Sequence, residues 1–177
     1  MKNWNLIEKF RGLSRKKKIA LTCVAVCLVL LYFFPVYRLF TVALPDHEGY
    51  YEKEDVVHLY FMRGTPGDLW QARTVIKQGR EAFEDCTTPD DQREDKYGPL
   101  YIYSTDGERG AVRVQYSLRL LSAHLDERDG KIWVKYSYKA LDKKGEVICG
   151  SLGVVSLWTV QKDAQGVWRV VDVREHP

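Results

Sequence analysis

Three different rhythms of apolar and polar residues divide the chain. From Ile19 to Phe34 sixteen residues pass without a charge. Between residues 52 and 84 apolar side chains recur every three or four positions. From Leu100 onward they alternate every second position. Each rhythm predicts a different element.

The unbroken run, extended by Pro35-Val36-Tyr37, approaches the roughly 20 apolar residues that cross a bilayer. It predicts a transmembrane helix over 19–37. Seven basic residues against Glu8 alone precede it, ending in Arg15, Lys16, Lys17 and Lys18. These four are the expected topology determinants, with residues 1–18 as a basic cytoplasmic arm and the C-terminal domain outside. Tyr32, Phe33, Phe34 and Tyr37 cluster at the far end, as an interfacial aromatic belt does. A cleaved signal peptide also pairs a basic start with an apolar core. Here the basic region is long, and Thr41-Val-Ala-Leu-Pro45 is a poor cleavage site. Trp4, Leu6, Ile7, Phe10 and Leu13 fall near one helical face, which fits either a short helix on the inner leaflet or a basic arm without structure.

Past the run, 38–49 reads as a linker and 50–177 as one domain. Helical spacing predicts a helix over 52–63, with Val56, Val57, Tyr60 and Phe61. A second begins at Thr65-Pro-Gly-Asp68 and reaches about Phe83, with Leu69, Ala72, Ile76, Gly79 and Phe83 along one stripe. Residues 85–98 read as a long polar loop and Leu100–Tyr103 as a short strand. Alternation then predicts strands over 112–120, 132–138, 147–160 and 167–173. Gly107, Gly130, Gly145 and Gly166 punctuate them, as hairpins require. The fold class is α+β: an N-terminal transmembrane helix, then two or three helices on a curved antiparallel sheet of four to five strands. One sheet face packs on helices, with Trp158 and Trp168 at that interface, and the other is partly wet.

Charge refines this picture. The chain carries +3 overall, but the first 44 residues hold +7 and the remaining 133 hold −4. The basic pI therefore belongs to the anchor, and the domain shows no footprint for nucleic acid. Of the four cysteines, Cys23 and Cys27 sit on one face of the apolar run as small packing residues. Cys86 and Cys149 either form one disulfide, which an extracytoplasmic setting permits, or are two free buried thiols.

Catalytic chemistry finds little support. His47, His58, His124 and His176 show no ligand spacing, so no metal is expected. Neither a nucleophile elbow nor a phosphate loop occurs, and no cofactor is implied. Tyr60, Tyr116, Tyr136 and Tyr138 can face a sheet cavity, but strands 112–120 and 132–138 place no carboxylate beside them. Asp126 and Asp129 read as turn residues and Asp172 as a solvated strand position. Among the aromatics, Trp70, Trp133 and Tyr97 are the candidate partner contacts, since Trp and Tyr anchor interfaces. Trp70 lies off its helix's apolar stripe, and Trp133 shares a strand face with Lys135 and Lys139.

Helices followed by a curved meander, closed by Gly166-Val-Trp-Arg-Val-Val-Asp-Val173, resemble the cone-shaped fold of nuclear transport factor two and ketosteroid isomerase over about 50–175. A cystatin-like sheet wrapped on one helix is the competing architecture. The order of basic arm, single span and cone-like domain is also similar to the bitopic subunit of type IV secretion and conjugation machines. That second resemblance implies a non-enzymatic module at the cell membrane that contacts other envelope or membrane proteins, or a second copy of itself. The first leaves open a tethered small-molecule-binding or catalytic pocket.

Overall fold

The computed structural model describes residues 14–41, 50–104 and 110–175. The expected surface helix over 4–13, most of the linker, Gly107, His47 and His176 lie outside the described residues. Two units are distinct, Met1–Ala43 and Leu44–Pro177.

In the first unit, helix α1 spans Arg15–Thr41, 27 residues with Pro35 inside. It is long and apolar enough to cross a membrane. Its side chains from Ile19 to Phe34 are exposed all round, which suits lipid on every side rather than a core on one. The helix continues four residues past Tyr37.

The second unit is α+β. Helix α2 covers Lys53–Tyr60 and α3 covers Pro66–Glu84. The start of α3 follows from its residues. Thr65 Oγ1 accepts from the Asp68 amide at 3.1 Å, and Asp68 Oδ2 accepts from the Thr65 amide at 2.9 Å. This reciprocal cap, with Pro66 as the first helical residue, satisfies amides that have no partner within the helix. Ala72, Val75, Ile76, Gly79, Ala82 and Phe83 form its buried stripe.

Two expectations are corrected next. The polar segment 85–98 contains a helix, α4, over Asp90–Tyr97. It is charged nearly throughout, so no apolar period marks it. Asp90 and Asp91 open it and Lys96 closes it, in the sense that complements the helix dipole. Leu100–Tyr103 is no strand: Gly98–Tyr103 is a 3-10 helix. Leu100 and Tyr103 are buried while Tyr101 and Ile102 are exposed, a period of three that a four-residue apolar run does not reveal.

Four antiparallel strands follow in meander order: β1 Arg113–Leu125, β2 Asp129–Leu141, β3 Val147–Lys162 and β4 Trp168–Glu175. Register slips at Leu120/Ser122, Tyr136/Tyr138, Ala140/Leu141 and Thr159/Val160 bend the sheet, as bulges do. The turns before β3 and β4 use one device twice. Asp142 Oδ1 accepts from the amides of Lys144 and Glu146, and Asp163 Oδ1 from those of Gln165 and Val167.

The main core lies between α3, the 3-10 helix and one sheet face, which presents Leu118, Ile132, Val134, Tyr136, Trp158 and Val160. A second, smaller cluster sits on the opposite face, under α2. There the Trp133 indole donates to the Asp55 carbonyl at 2.8 Å and packs on Tyr51, beside buried Leu59 and Leu157. Helices thus cover part of both faces.

Candidate functional site

The concave face of the sheet is filled by its own aromatics. Phe83, at the end of α3, lies 4.7 Å from the ring of Tyr103, 5.3 Å from Tyr116, 5.2 Å from Tyr136 and 6.0 Å from Tyr138. These separations are those of favourable ring pairs. Their hydroxyls meet carboxylates from elsewhere in the chain. Tyr103 donates to Glu175 Oε1 at 2.5 Å, and Tyr136 donates to Glu175 Oε2 at 2.9 Å. The Trp158 indole donates to the Tyr103 hydroxyl at 2.8 Å, with Ser156 Oγ 3.0 Å from the same oxygen. Tyr116 donates to Glu84 Oε1 at 2.5 Å.

Burial first, and Glu175 next, push the phenols of Tyr103 and Tyr136 well up. Burial and Glu84 push Tyr116 up to about 12. All three stay protonated and act as donors, and their donors are taken by the protein's own carboxylates. Sequence reasoning missed Glu175 because the expected strand ended at Val173. One further pair of alternations would have brought its side chain to the Tyr136 face.

Beyond this aromatic plug the sheet is open. Strand β4 pairs with β3 only over Ser156–Lys162. Among the described residues, no strand pairs with Val147–Val155 on that side, while β2 pairs with it on the other. The backbone groups of Val147–Val155 that face away from β2 therefore have no strand partner among the described residues. The stretch Val-Ile-Cys-Gly-Ser-Leu-Gly-Val-Val holds no charge and no proline, the two devices that usually blunt a free edge. At its middle, Leu152 and Gly153 together oppose Ser137. Gly153 adopts a φ of +70° and its amide donates to Ser137 Oγ at 2.8 Å. This bulge turns Leu152 outward, where it is 89% exposed. Beside it lies an open groove of about 530 Å³ lined by Tyr116, Tyr138, Lys139, Val147, Cys149 and Leu152. The signal was present in the sequence: the expected third strand was twice the length of the fourth.

A second groove, of about 570 Å³, runs between α3 and β1. Its floor is Leu69, Ile76, Leu118 and Leu120, and its rim is Arg63, Arg73, Lys77 and Arg80. Trp70 stands beside that rim, 67% exposed, with the Arg73 guanidinium 4.9 Å over its ring.

The residues singled out from sequence fall in different places. Trp70 is at the surface, beside the rim of the second groove. Trp133 is corrected: it is 1% exposed, because α2 closes over the face that alternation alone leaves open. Tyr97 is half-buried and donates to Asp85 Oδ2 at 2.6 Å. Asp85 also accepts from Thr87, Thr88 and the Lys96 ammonium. Burial pushes the Asp85 carboxyl up, but the hydrogen bonds of Thr88, Tyr97, Thr87 and Lys96 outweigh it and hold it far below the carboxylate range. That cluster fastens α4 to the end of α3. Arg93 serves the same end, donating to the carbonyls of Thr88 and Ser104. Cys86 and Cys149 form no disulfide and are free, half-buried thiols. Cys86 follows Asp85 at the end of α3, whereas Cys149 lines the β3 groove. Burial and the Asp85 charge push the Cys86 thiol up, away from reactivity. Arg15, Lys16, Lys17 and Lys18 form the first turn of α1. Among the described residues, no group of three His, Cys, Asp or Glu side chains is placed to hold a metal.

No family model matches the chain, and no curated protein matches it. Among solved structures the likeness is partial. The chain is similar over 42% of its length to a nuclear transport factor 2-like superfamily protein from Salmonella enterica subsp. enterica serovar Typhimurium str. LT2, at 14% identity and a TM-score of 0.34. It spans about half, 52%, of that protein. It is similar over 63% of its length to the whole of a conserved protein from Planctomyces limnophilus DSM 3776, at 11% identity and a TM-score of 0.43.

Proposed function

We infer that this chain is a single-pass membrane protein whose C-terminal domain docks an extended segment of another membrane or envelope protein. It acts as an assembly module, not as an enzyme. The observation that carries the reading is the uncharged, unpaired outer edge of β3 over Val147–Val155, with Leu152 projecting from its bulge. An incoming strand gains main-chain hydrogen bonds there, and side-chain grooves beside it supply selectivity. The basic residues in the first turn of α1 and before it favour a cytoplasmic N-terminus and an external domain. A secretion or conjugation machine is one setting that this order of parts fits.

A small-molecule site is the second reading, favoured by the groove that Tyr116 and Tyr138 line. The neighbouring donors weigh against it, since Glu84 and Glu175 already occupy them.

Photo-crosslinking in intact membranes separates the two. A photoreactive residue at Leu152 is expected to capture one or a few membrane proteins, and the same residue at Lys143, on the exposed turn before β3, is not. Equal adducts from both positions, or none from Leu152, would overturn strand addition.

A further inference from the structure

We propose that the groove between α3 and β1 is a second docking site, for an acidic peptide segment that carries an apolar anchor residue. The proposal is independent of strand addition, because the two grooves share no lining residue.

Charge is the first argument. Residues 45–177 carry −4 in total, yet four cations, Arg63, Arg73, Lys77 and Arg80, converge on one groove. Of these, Lys77 has a long ion pair with Glu81 at 3.7 Å. Neither Arg63 nor Arg80 has an ion-pair partner among the described residues. Like charges gathered on low-dielectric walls focus a field that draws an acidic partner.

The floor decides which acidic partner. Ile76 and Leu118 are buried beneath the groove, with Leu69 and Leu120 half-buried at its sides. A lipid surface meets a flat or protruding cationic face and has no use for a recessed apolar floor. A peptide with carboxylates flanking a leucine or phenylalanine fills both: the ring or isobutyl group enters, and the carboxylates reach the rim. Arginine suits this rim better than lysine, since its planar fork can pair a carboxylate through two parallel bonds. Trp70, with the Arg73 guanidinium over its ring, adds an aromatic anchor at the edge, of the kind that carries most of an interface's energy.

The test uses the full chain in nanodiscs of neutral phosphatidylcholine. The probe is a short fluorescent peptide of glutamates flanking a Leu-Phe pair, read by anisotropy. Saturable binding is expected, weakened about tenfold or more by the paired change Arg73→Gln with Arg80→Gln, and weakened by added salt. A companion peptide with two serines in place of Leu-Phe is expected to bind markedly less well. Lys143→Gln, which removes a charge outside the groove, is expected to leave binding unchanged. Absence of binding would overturn the proposal, as would equal binding of the two peptides or equal loss in Lys143→Gln. So would a Trp70-dependent association with phosphatidylserine vesicles in place of the peptide, which would make the groove a lipid contact.

Discussion

At the scale of single residues, close approach matters more than propensity. Gly79 lies in the middle of α3, where alanine would ordinarily favour the helix by about 1 kcal/mol. A methyl group there would stand 2.5 Å from Cη2 of the buried Trp158 and 3.2 Å from Leu118. Overpacking of that kind costs about 1–3 kcal/mol, so the clash wins. Gly79→Ala is expected to lower the thermal midpoint by about 4 °C or more, measured by circular dichroism on the full chain. An unchanged midpoint would show that Trp158 can shift freely. The sequence showed Gly79 on the apolar stripe of its helix. It gave no sign of why the position is glycine, because the reason lies on another element, 79 residues away along the chain.

At the scale of elements, the hold of α2 on the sheet depends on protonation. His58 of α2 stacks on His124 of β1, with ring centroids 3.7 Å apart. His124 Nε2 donates to the Met62 carbonyl at 2.8 Å. Glu54, Asp55 and Lys131 are the other charges that act on His58, and Lys131 is itself paired to Asp55 and Glu52. Burial, and then His124, hold the His58 imidazole below its ordinary value. The unfolded chain therefore takes up this proton at a higher pH than the folded one. Stability is complete above the ordinary imidazole range and falls as pH drops through it toward the folded value. A thermal midpoint measured at about pH 7.5 and again at about pH 5.5 is expected to fall, and His58→Leu is expected to flatten that fall. An identical slope in the variant would assign the acid sensitivity elsewhere. Elements with a strong pattern were legible in the sequence: the unbroken run of α1, the helical spacing of α2 and α3, and the alternation of the four strands. Those without one were not. Helix α4 is eight residues of mostly charged side chains, and its existence depends on Arg93 and the Asp85 cluster that anchor it. The 3-10 helix hides in a run whose apolar residues do not alternate. Trp133 was placed on the correct strand face, but a face is open only if no helix returns to cover it, and that is a tertiary fact.

At the scale of the whole molecule, the chain joins a lipid-compatible helix to an acidic domain that bears the β3 and α3–β1 grooves. The order of charge along the chain sets how it inserts. Changing Lys16, Lys17 and Lys18 to glutamine is expected to leave a measurable fraction of molecules inverted, seen as protease protection of the C-terminal domain in intact cells; uniform orientation would show that Arg15 and the residues before it suffice. Neither the β3 edge nor the basic groove was named from sequence, since each arises where segments distant along the chain meet or fail to meet. The unpaired edge has one further consequence. A strand docked on it is recognised chiefly by its backbone, which is the same whatever its side chains. Substitutions in such a partner that leave the groove beside Leu152 filled would go unpunished, and a proline on the bonded side, or a side chain that no longer fits that groove, would be refused. Partner and edge are then free to drift apart in sequence while staying joined, and related pairs would come to look unrelated long before they ceased to bind.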